Sequence, residues 1–415
     1  MINILKIAAK NLLRYRRRTF LTSLLITIGI VAVLLFMSLS GSFRALMVGQ
    51  ITDSMLGHLQ IHKKGYVASI DNLPLTLNMK PAMVEKVTDY LQHDKDVAAW
   101  SPRIKFGAMF SNFQETTSIR LNAVGPQQEV ATCPLLPGRL IEGDRNQPLV
   151  QPGKIVIPEL IAKGMKVKVG DSIVLVATNR DGSVNGNTFT VSGVLEGISG
   201  PGGRDGYMHI DDARNLLRMQ EPEISEIAIR LKPGASLAKV YKAMQQHFEH
   251  ITNQQGKRVL EVHTWEALSP FSNIAKMIDM LDTFIKIMLV AIVLISIMNV
   301  MLMAVYERIH EIGTIAAIGT TPSRILLLFV SEGLLLGILG TIIGVAISVI
   351  TIATINAKTI TFSFGRQDNL VLQPTISLSE ILVISLIVVL VAVLASLQPA
   401  WKASRMNPIT ALRHF

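Results

Sequence analysis

Few residues of this sequence have the types and the spacing that catalysis requires. His310-Glu311-Ile312-Gly313-Thr314 begins like the helix of a zinc protease, but Thr314 takes the place of the second histidine of H-E-x-x-H, so that one metal ligand is missing. No clustered carboxylates or thiols complete a metal site elsewhere, and we interpret the remaining histidine pairs as solvated surface residues. These pairs are His58 with His62 and His247 with His250.

Nucleotide and redox chemistry also lack their residues. No stretch matches G-x-x-x-x-G-K-[ST], the phosphate-binding loop of many ATPases. Cys133 is the only cysteine, which excludes a disulfide within the chain, a cysteine-built zinc site and an iron–sulfur cluster held by this chain alone. We therefore predict no catalytic residues, no cofactor and no metal in the chain, and a membrane-tethered protease is an alternative without a nucleophile or ligand set to support it.

The composition predicts an integral membrane protein. Of the 415 residues, 49% are apolar and only 17% are charged, which is too apolar for an ordinary soluble domain. About 20 apolar residues cross a bilayer as a helix. Uncharged runs at 19–43, 287–306, 333–357 and 381–401 predict four such helices, and the third helix is predicted to cover 325–357.

The charge distribution predicts which side each segment occupies. With the N-terminus inside, the inner segments carry eleven Lys or Arg residues against two acids. The stretch 44–283 carries 26 basic and 25 acidic residues, so the net charge of +10 belongs to the membrane flanks. Nucleic-acid binding is therefore not predicted, and the protein is expected in a bacterial inner membrane with both termini cytoplasmic. The predicted order is a basic segment (1–18), the first helix, a periplasmic domain with a stalk (44–286), the second helix, a cytoplasmic segment (307–324), the third helix, a periplasmic loop (358–380), the last helix and a tail (402–415).

The large domain is predicted to be α/β. Two β-α-β halves suggest a ferredoxin-like split sheet with the β-rich residues 116–222 inserted as a second subdomain. The strand, helix and strand patterns lie at 57–62, 81–92 and 97–110 in the first half and at 224–231, 235–250 and 258–263 in the second. Apolar residues at helical spacing also continue the first two membrane helices over 42–56 and 272–286, which predicts a rigid paired stalk. Two amphipathic helices lying on the membrane are the alternative.

Two inner segments have patterned sequences. Residues 306–324 predict a short docking helix that stops at Gly319 before Pro322. The residues on one side of this helix are Ile309, Ile312, Ala316 and Gly319. Residues 399–413 place cations and a short apolar turn beyond the last helix. Ordinary positively charged flanks are the alternative for both.

These two segments resemble the FtsX-like permeases of the MacB and LolCDE type of ABC transporter. The resemblance rests on E-R-x-x-E-I-G-x-x-x-A-x-G at 307–319, on N-P-I-x-A-L-R at 407–413 and on Asn11-Leu-Leu-Arg14 before a basic cluster. It covers the whole chain and is closer to the branch with separate permease subunits, because the chain begins almost directly at a membrane helix. Residues 205–217 are similar to a stretch of the lipoprotein-releasing permeases.

The resemblance implies that a separate ABC ATPase subunit, which holds ATP and Mg, closes and pushes on 307–319. A stalk then moves the periplasmic domains of two protomers, in a homodimer or heterodimer, to extract or export lipoproteins or other amphiphiles from membrane lipid. Peptide or drug efflux through an adaptor, delivery to a periplasmic carrier, and regulation of a cell-wall hydrolase remain open. The residues expected to couple the ATPase to the membrane are Glu307, Arg308, Glu311, Gly313, Gly319, Pro322 and Arg324.

Polar and small residues within the membrane helices are also informative. Glu332 is interpreted as a contact between helices, with a proton relay as the alternative. Few other polar groups, such as Asn299, interrupt the apolar runs, which argues against a channel for hydrophilic solutes. Two G-x-x-x-G pairs on the third helix permit close packing, either between protomers or within one. Their residues are Gly333, Gly337, Gly340 and Gly344.

Overall fold

The computed structural model describes residues 2–196, 201–252, 255–269, 272–358, 361–364 and 367–413. Its helices are α1 (Ile2–Arg14), α2 (Arg16–Ile51), α3 (Pro81–His93), α4 (Pro126–Thr132), α5 (Glu159–Gly164), α6 (Ile210–Leu216), α7 (Leu237–Glu249), α8 (Trp265–Leu268), α9 (Ser272–Glu307), α10 (Ile309–Ala317), α11 (Pro322–Ala357), α12 (Leu378–Ser404) and α13 (Pro408–Arg413). Its strands are β1 (Leu59–Lys63), β2 (Val97–Ser111), β3 (Thr116–Val124), β4 (Leu140–Gly143), β5 (Lys154–Pro158), β6 (Ser172–Thr178), β7 (Val184–Leu195), β8 (Asp205–His209), β9 (Glu226–Leu231), β10 (Leu260–Thr264), β11 (Thr361–Phe364) and β12 (Gln367–Val371).

The chain divides into two compact units. A membrane unit comprises Met1–Leu46 and Ile274–Phe415, and a large domain comprises Met47–Asn273. Among the described residues, four helices are long and apolar enough to cross a membrane: Thr19–Leu56, Ser272–Glu307, Pro322–Ala357 and Leu378–Ser404. A helix of 36 residues, such as α9, is about 54 Å long at about 1.5 Å per residue, which exceeds the bilayer core of about 30 Å. The apolar pattern that continues the first two predicted spans is therefore helical in the structure.

Helices α2 and α9 lie side by side at two levels of the membrane unit. Gly29 of α2 leaves no room for a side chain beside Val293 of α9. Further along, Arg44 of α2 forms an ion pair with Asp279 of α9, with Nε and Oδ1 2.6 Å apart. The two contacts are separated by 15 residues on one helix and by 14 on the other, so the helices run antiparallel. The Arg44–Asp279 pair lies within the predicted stalk segments.

The glycines of α11 pack against helices of the same chain. A Cβ atom at Gly333 would lie 2.6 Å from Ser396 of α12, and one at Gly337 would lie 2.7 Å from Ala392. One turn further along, a Cβ at Gly340 would lie 2.6 Å from Ile26 of α2, and Gly344 approaches the same helix at Ile30. Of the two alternatives left by the sequence, the structure therefore shows packing within the protomer at both G-x-x-x-G pairs.

This packing predicts that Gly340→Val destabilises the membrane unit, by about 1–3 kcal/mol as is usual for overpacking. The matched control is Gly41→Val on α2, because a Cβ atom at Gly41 would have no other atom within 4 Å. Thermal unfolding of the detergent-purified protein, followed by tryptophan fluorescence, measures both variants. Equal melting temperatures for the two variants would contradict the close contact between α11 and α2.

The large domain contains the predicted ferredoxin-like sheet. Strands β10, β1, β9 and β2 are neighbours in that order and all pair antiparallel, which is the ferredoxin-like order 4-1-3-2, and α3 and α7 connect them in sequence. The inserted residues begin with β3 at Thr116 and return at β9. They extend the same sheet, because the 15-residue β2 pairs with β9 through its first half and with β3 and β6 through its second. The predicted fold is confirmed, and the two subdomains share one continuous sheet.

A buried charged cluster joins the inserted subdomain to the ferredoxin-like part. Arg103 of β2 donates two hydrogen bonds to Glu129 of α4, of 2.7 and 3.0 Å, and one of 3.1 Å to Glu226 of β9. Burial lowers the pKa of the Arg103 guanidinium, but the two carboxylates outweigh it, so the pKa lies well above its usual value. His62 lies 3.4 Å from Glu226 and is fully buried. The interpretation of His62 as a solvated surface residue is therefore wrong: period-two alternation on β1 could not show that both faces of this strand are covered.

Candidate coupling site

The segment between the second and third membrane helices is a short helix bounded by two breaks. Helix α9 ends at Glu307, and α10 follows after Arg308, whose φ of −110° and ψ of 17° interrupt the helical path. Gly319 has a φ of +96°, a conformation that favours glycine and reverses the chain. Pro322 then starts α11 at the first helical position, where its missing N–H costs no hydrogen bond.

Arg308 is the centre of an ion-pair network at the first of these breaks. Its Nη1 donates to Oε1 of Glu332 on α11 over 2.9 Å, and its Nε donates to Oε2 of Glu311 on α10 over 3.0 Å. Arg308 is 6% exposed and Glu332 is fully buried. Moving α10 away from α11 would break these contacts and leave buried charges unpaired, which is costly in free energy. The contacts therefore hold α10 against α11.

Helix α1 and Tyr15, the residue between α1 and α2, supply the rest of the network. Asn11 Nδ2 donates to Oε1 of Glu332 over 2.8 Å, and the Tyr15 hydroxyl donates to Oε1 of Glu311 over 2.7 Å. The Arg308 guanidinium carbon also lies 5.3 Å from the centre of the Tyr15 ring, within the range of a cation–π contact. Three separate elements, α1, α10 and α11, therefore meet at one guanidinium and two carboxylates.

The electrostatics of the network favour its charged form. Burial lowers the pKa of Arg308, but Glu332 and Glu311 together raise it by more, so the pKa lies above its usual value. Burial raises the pKa of Glu311, but the Tyr15 hydroxyl and Arg308 lower it more, so this carboxyl has a pKa below its usual value. The hydrogen bond to Glu311 also raises the pKa of Tyr15. Arg308 and Glu311 are therefore ionised at neutral pH and Tyr15 is neutral.

The apolar side of α10 points inward. Ile312 is buried and Ala316 is partly buried, and both pack into the core of the membrane unit. The outer side presents Ile315 and, at the C-terminal turn, Ile318, which is 81% exposed. Ile312 and Ala316 therefore face the membrane unit, which helical spacing could not show because it identifies an apolar side without showing what covers it.

The seven residues expected to couple divide into two groups by position. The inner group belongs to the ion-pair network or to the buried side of α10 and consists of Arg308, Glu311 and Gly313. The outer group is exposed at the two ends of the segment and consists of Glu307, Gly319, Pro322 and Arg324. The role of all seven residues in coupling remains a prediction. By its position, the inner group can hold α10 in place, and the outer group lies on the exposed surface of the segment.

The tail motif lies on the same segment. Helix α13 packs against α10, with Ala411 buried, and Asn407 Oδ1 accepts a hydrogen bond from the backbone N–H of Ile409 at the start of α13. Met406 packs against the core of the membrane unit. The two motifs at 307–319 and 407–413 therefore form one structural element, although nearly 90 residues separate them in sequence.

Sequence reasoning missed Asn11 and Tyr15 as members of the network. Asn11 belongs to the Asn11-Leu-Leu-Arg14 motif, but nothing local shows that its side chain reaches Glu332, 321 residues away. The signal is an amide on the buried side of an amphipathic helix, between Ala8 and Leu12. Among the described residues, no group of three or more His, Cys, Asp or Glu is arranged to hold a metal ion.

Comparisons with known proteins match both units. A family model described as the MacB-like periplasmic core domain matches residues 19–247, and one described as the FtsX-like permease C-terminal domain matches residues 283–408. The lipoprotein-releasing system transmembrane protein LolC of Haemophilus influenzae is 27% identical over 270 residues, which cover 63% of this chain and 64% of that protein. The macrolide export ATP-binding/permease protein MacB of Bdellovibrio bacteriovorus is 24% identical over 429 residues, which cover all of this chain and 62% of that protein.

Among solved structures, the periplasmic region of MacB from Actinobacillus actinomycetemcomitans superposes with a TM-score of 0.36 at 13% identity. The superposition covers 51% of this chain and 89% of the MacB periplasmic region. The chain thus spans somewhat less than two thirds of the length of the LolC and MacB relatives named above.

Proposed function

This chain belongs to the ABC-transporter permeases that carry a MacB-like periplasmic core domain and an FtsX-like C-terminal domain, and we propose that it is the membrane subunit through which a separate ATPase moves the periplasmic domain. In this proposal ATP and Mg bind to the ATPase subunit, and two permease protomers form the transporter. The proposal also has both termini in the cytoplasm, in agreement with the basic flanks of the membrane helices.

The observation that carries the proposal is the network around Arg308. It ties α10, the short helix between two membrane spans, to α1 and α11 through buried charges, while the outer turn of α10 remains exposed at Ile318. A partner that pushes on this turn would therefore move the surrounding helices as one body. Continuous helices α2 and α9 would carry the motion beyond the bilayer.

The substrate is proposed to be a lipoprotein or another amphiphile taken from the membrane. The LolC relative, named for lipoprotein release, and the scarcity of polar groups along the membrane helices support this class. The MacB relative, named for macrolide export, supports efflux through an adaptor as the second candidate.

We expect the purified chain alone to show no ATPase activity and its complex with a separate ABC ATPase to show it, because the sequence contains no phosphate-binding loop. Phosphate release from the chain alone, from the ATPase alone and from their complex measures this. Hydrolysis by the chain without a partner would overturn the proposal.

The exposed turn of α10 predicts a docking variant. Ile318→Glu should weaken binding of the ATPase subunit at least tenfold, because it places a charge where an apolar surface would be covered. The control is Leu160→Glu, which exposes the same new charge on the large domain, where Leu160 is 56% exposed. Pull-down of the ATPase subunit by the two purified variants distinguishes them, and equal retention would reject the docking role of this turn.

Gly319→Leu is expected to act through the backbone rather than through a steric clash. No atom lies within 4 Å of a Cβ atom placed at Gly319, so steric blocking within the protomer does not arise. The strain comes instead from the φ of +96°, which a leucine adopts unfavourably. We expect this variant to distort the turn after α10 and to uncouple ATP hydrolysis from function, which paired measurements of ATPase rate and complementation in cells at equal expression would test.

A further inference from the structure

Helix α1 presents a strip of positive charge on the side that faces away from the protein. Ala8 and Leu12 are buried on its inner side, against the membrane unit. On the outer side, Lys6, Lys10 and Arg14 follow one another at intervals of four residues and are exposed. Residues four apart lie above one another on a helix, so these three cations form one continuous strip.

Exposed apolar residues border this basic strip. Ile7 lies beside it and is 50% exposed, and Leu13 lies on the other border and is 68% exposed. The first membrane-spanning residues begin at Thr19, five positions after Arg14. A helix with a cationic strip between apolar residues, next to a membrane span, has the chemistry of an interfacial helix on anionic lipid.

No acidic side chain near this strip in the sequence neutralises it. The sequence contains no Asp or Glu before Asp53, whereas residues 1–18 contain six Lys or Arg. The carboxylates that α1 does approach, Glu311 and Glu332, lie at its inner side and are bonded to Tyr15, Asn11 and Arg308. Arg14, at the end of the strip, also interacts with Glu311 and lies over the Tyr15 ring. Lys10 and Lys6, one and two turns further from this end, carry the charge that complements a phosphodiester.

From this arrangement we propose that the strip Lys6, Lys10 and Arg14 binds the headgroups of anionic phospholipids, and that this binding seats α1 against the coupling site. The same helix that carries the strip supplies Asn11 to Glu332, and Tyr15, which follows its last residue, donates to Glu311. Anionic lipid that draws the outer side of α1 to the membrane surface thus favours the position in which these two hydrogen bonds form. Lipid composition would then regulate the coupling site.

Lipid binding is tested on the full-length chain in proteoliposomes by electron paramagnetic resonance of spin-labelled lipids. The motionally restricted fraction of spin-labelled phosphatidylglycerol is compared with that of spin-labelled phosphatidylcholine at low salt. We expect a severalfold preference for phosphatidylglycerol that Lys6→Gln/Lys10→Gln largely removes. The control, Lys239→Gln/Lys242→Gln, removes two exposed cations from α7 of the large domain and should keep the preference. No preference in the natural protein, or an equal one in both variants, would overturn the proposal.

A competition experiment distinguishes anionic lipid from free phosphate as the group that the strip binds. At equal ionic strength, inorganic phosphate should reduce the preference no more than chloride does, since screening alone weakens an exposed charge pair. Selective displacement by phosphate would show a site for a free anion and would overturn the assignment to lipid.

The regulatory consequence rests on the proposed function and has its own readout. The ATPase rate of the reconstituted complex should rise with the phosphatidylglycerol content, and this response should be lost in Lys6→Gln/Lys10→Gln and in Asn11→Ala. A lipid preference without any response of the ATPase rate would reject the regulatory step. A complex without ATPase activity would reject the proposed function and leave the spin-label result as the test of the lipid site.

Discussion

Arg308→Met is expected to destabilise the membrane unit by about 3–5 kcal/mol and to abolish coupling, because it removes a cation that pairs with the buried Glu332. Glu332 is fully buried and would keep the Asn11 amide, which is a neutral donor. Glu311 would lose one of its two donors but is partly exposed and can be solvated. The loss should therefore appear as a lower melting temperature together with loss of complementation in cells that lack the natural protein.

The double variant Arg308→Met/Glu332→Met separates stability from coupling. Replacing both partners of a buried ion pair by apolar residues often restores stability, so its melting temperature should return close to that of the natural protein. Function should not return, because α10 would no longer be tied to α11. A single Arg308→Met variant with natural stability and function would show that the network has neither role.

Met277→Pro in α9 is expected to stop substrate release while ATP hydrolysis continues. Met277 lies inside the 36-residue helix, two residues before Asp279, which pairs with Arg44 of α2. Proline there removes a backbone donor and clashes with the preceding turn, at a cost of about 3 kcal/mol or more, and kinks the helix outside the predicted span. Met47→Pro should act in the same way on α2. The coupling site lies at the opposite end of α9 and should remain intact.

Met277→Ala is the matched control, because it removes the same half-exposed side chain and keeps the helix. Release of a fluorescent lipoprotein or amphiphile from proteoliposomes is measured alongside phosphate release, and circular dichroism confirms folding. If both proline variants release substrate at the natural rate, the helices beyond the bilayer are tethers, and force transmission through them must be abandoned.

The sequence by itself was sufficient to predict the four membrane helices and the two β-α-β halves of the large domain. The patterns that predicted these elements are local: four uncharged runs, a period of two at β1 and β2, and a period near 3.6 at α3 and α7. The structure contains a helix or a strand at each of these places. The ferredoxin-like order and the place of the insertion followed from the repeated β-α-β pattern, which the strand pairing confirms. Local periodicity predicts these features because secondary structure depends on neighbours within a few residues.

Tertiary structure alone decided which faces and charges meet. Arg308 binds Glu332 across 24 residues, and Asn11 reaches the same carboxylate across 321, distances over which no sequence pattern specifies a partner. The same limit explains His62 and Ile312, whose environments depend on elements packed over them from elsewhere in the chain. A periodic pattern predicts that one face of an element will be buried. Which element covers that face depends on the packing of the whole fold, because apolar burial and the pairing of buried charges must be satisfied at the same time.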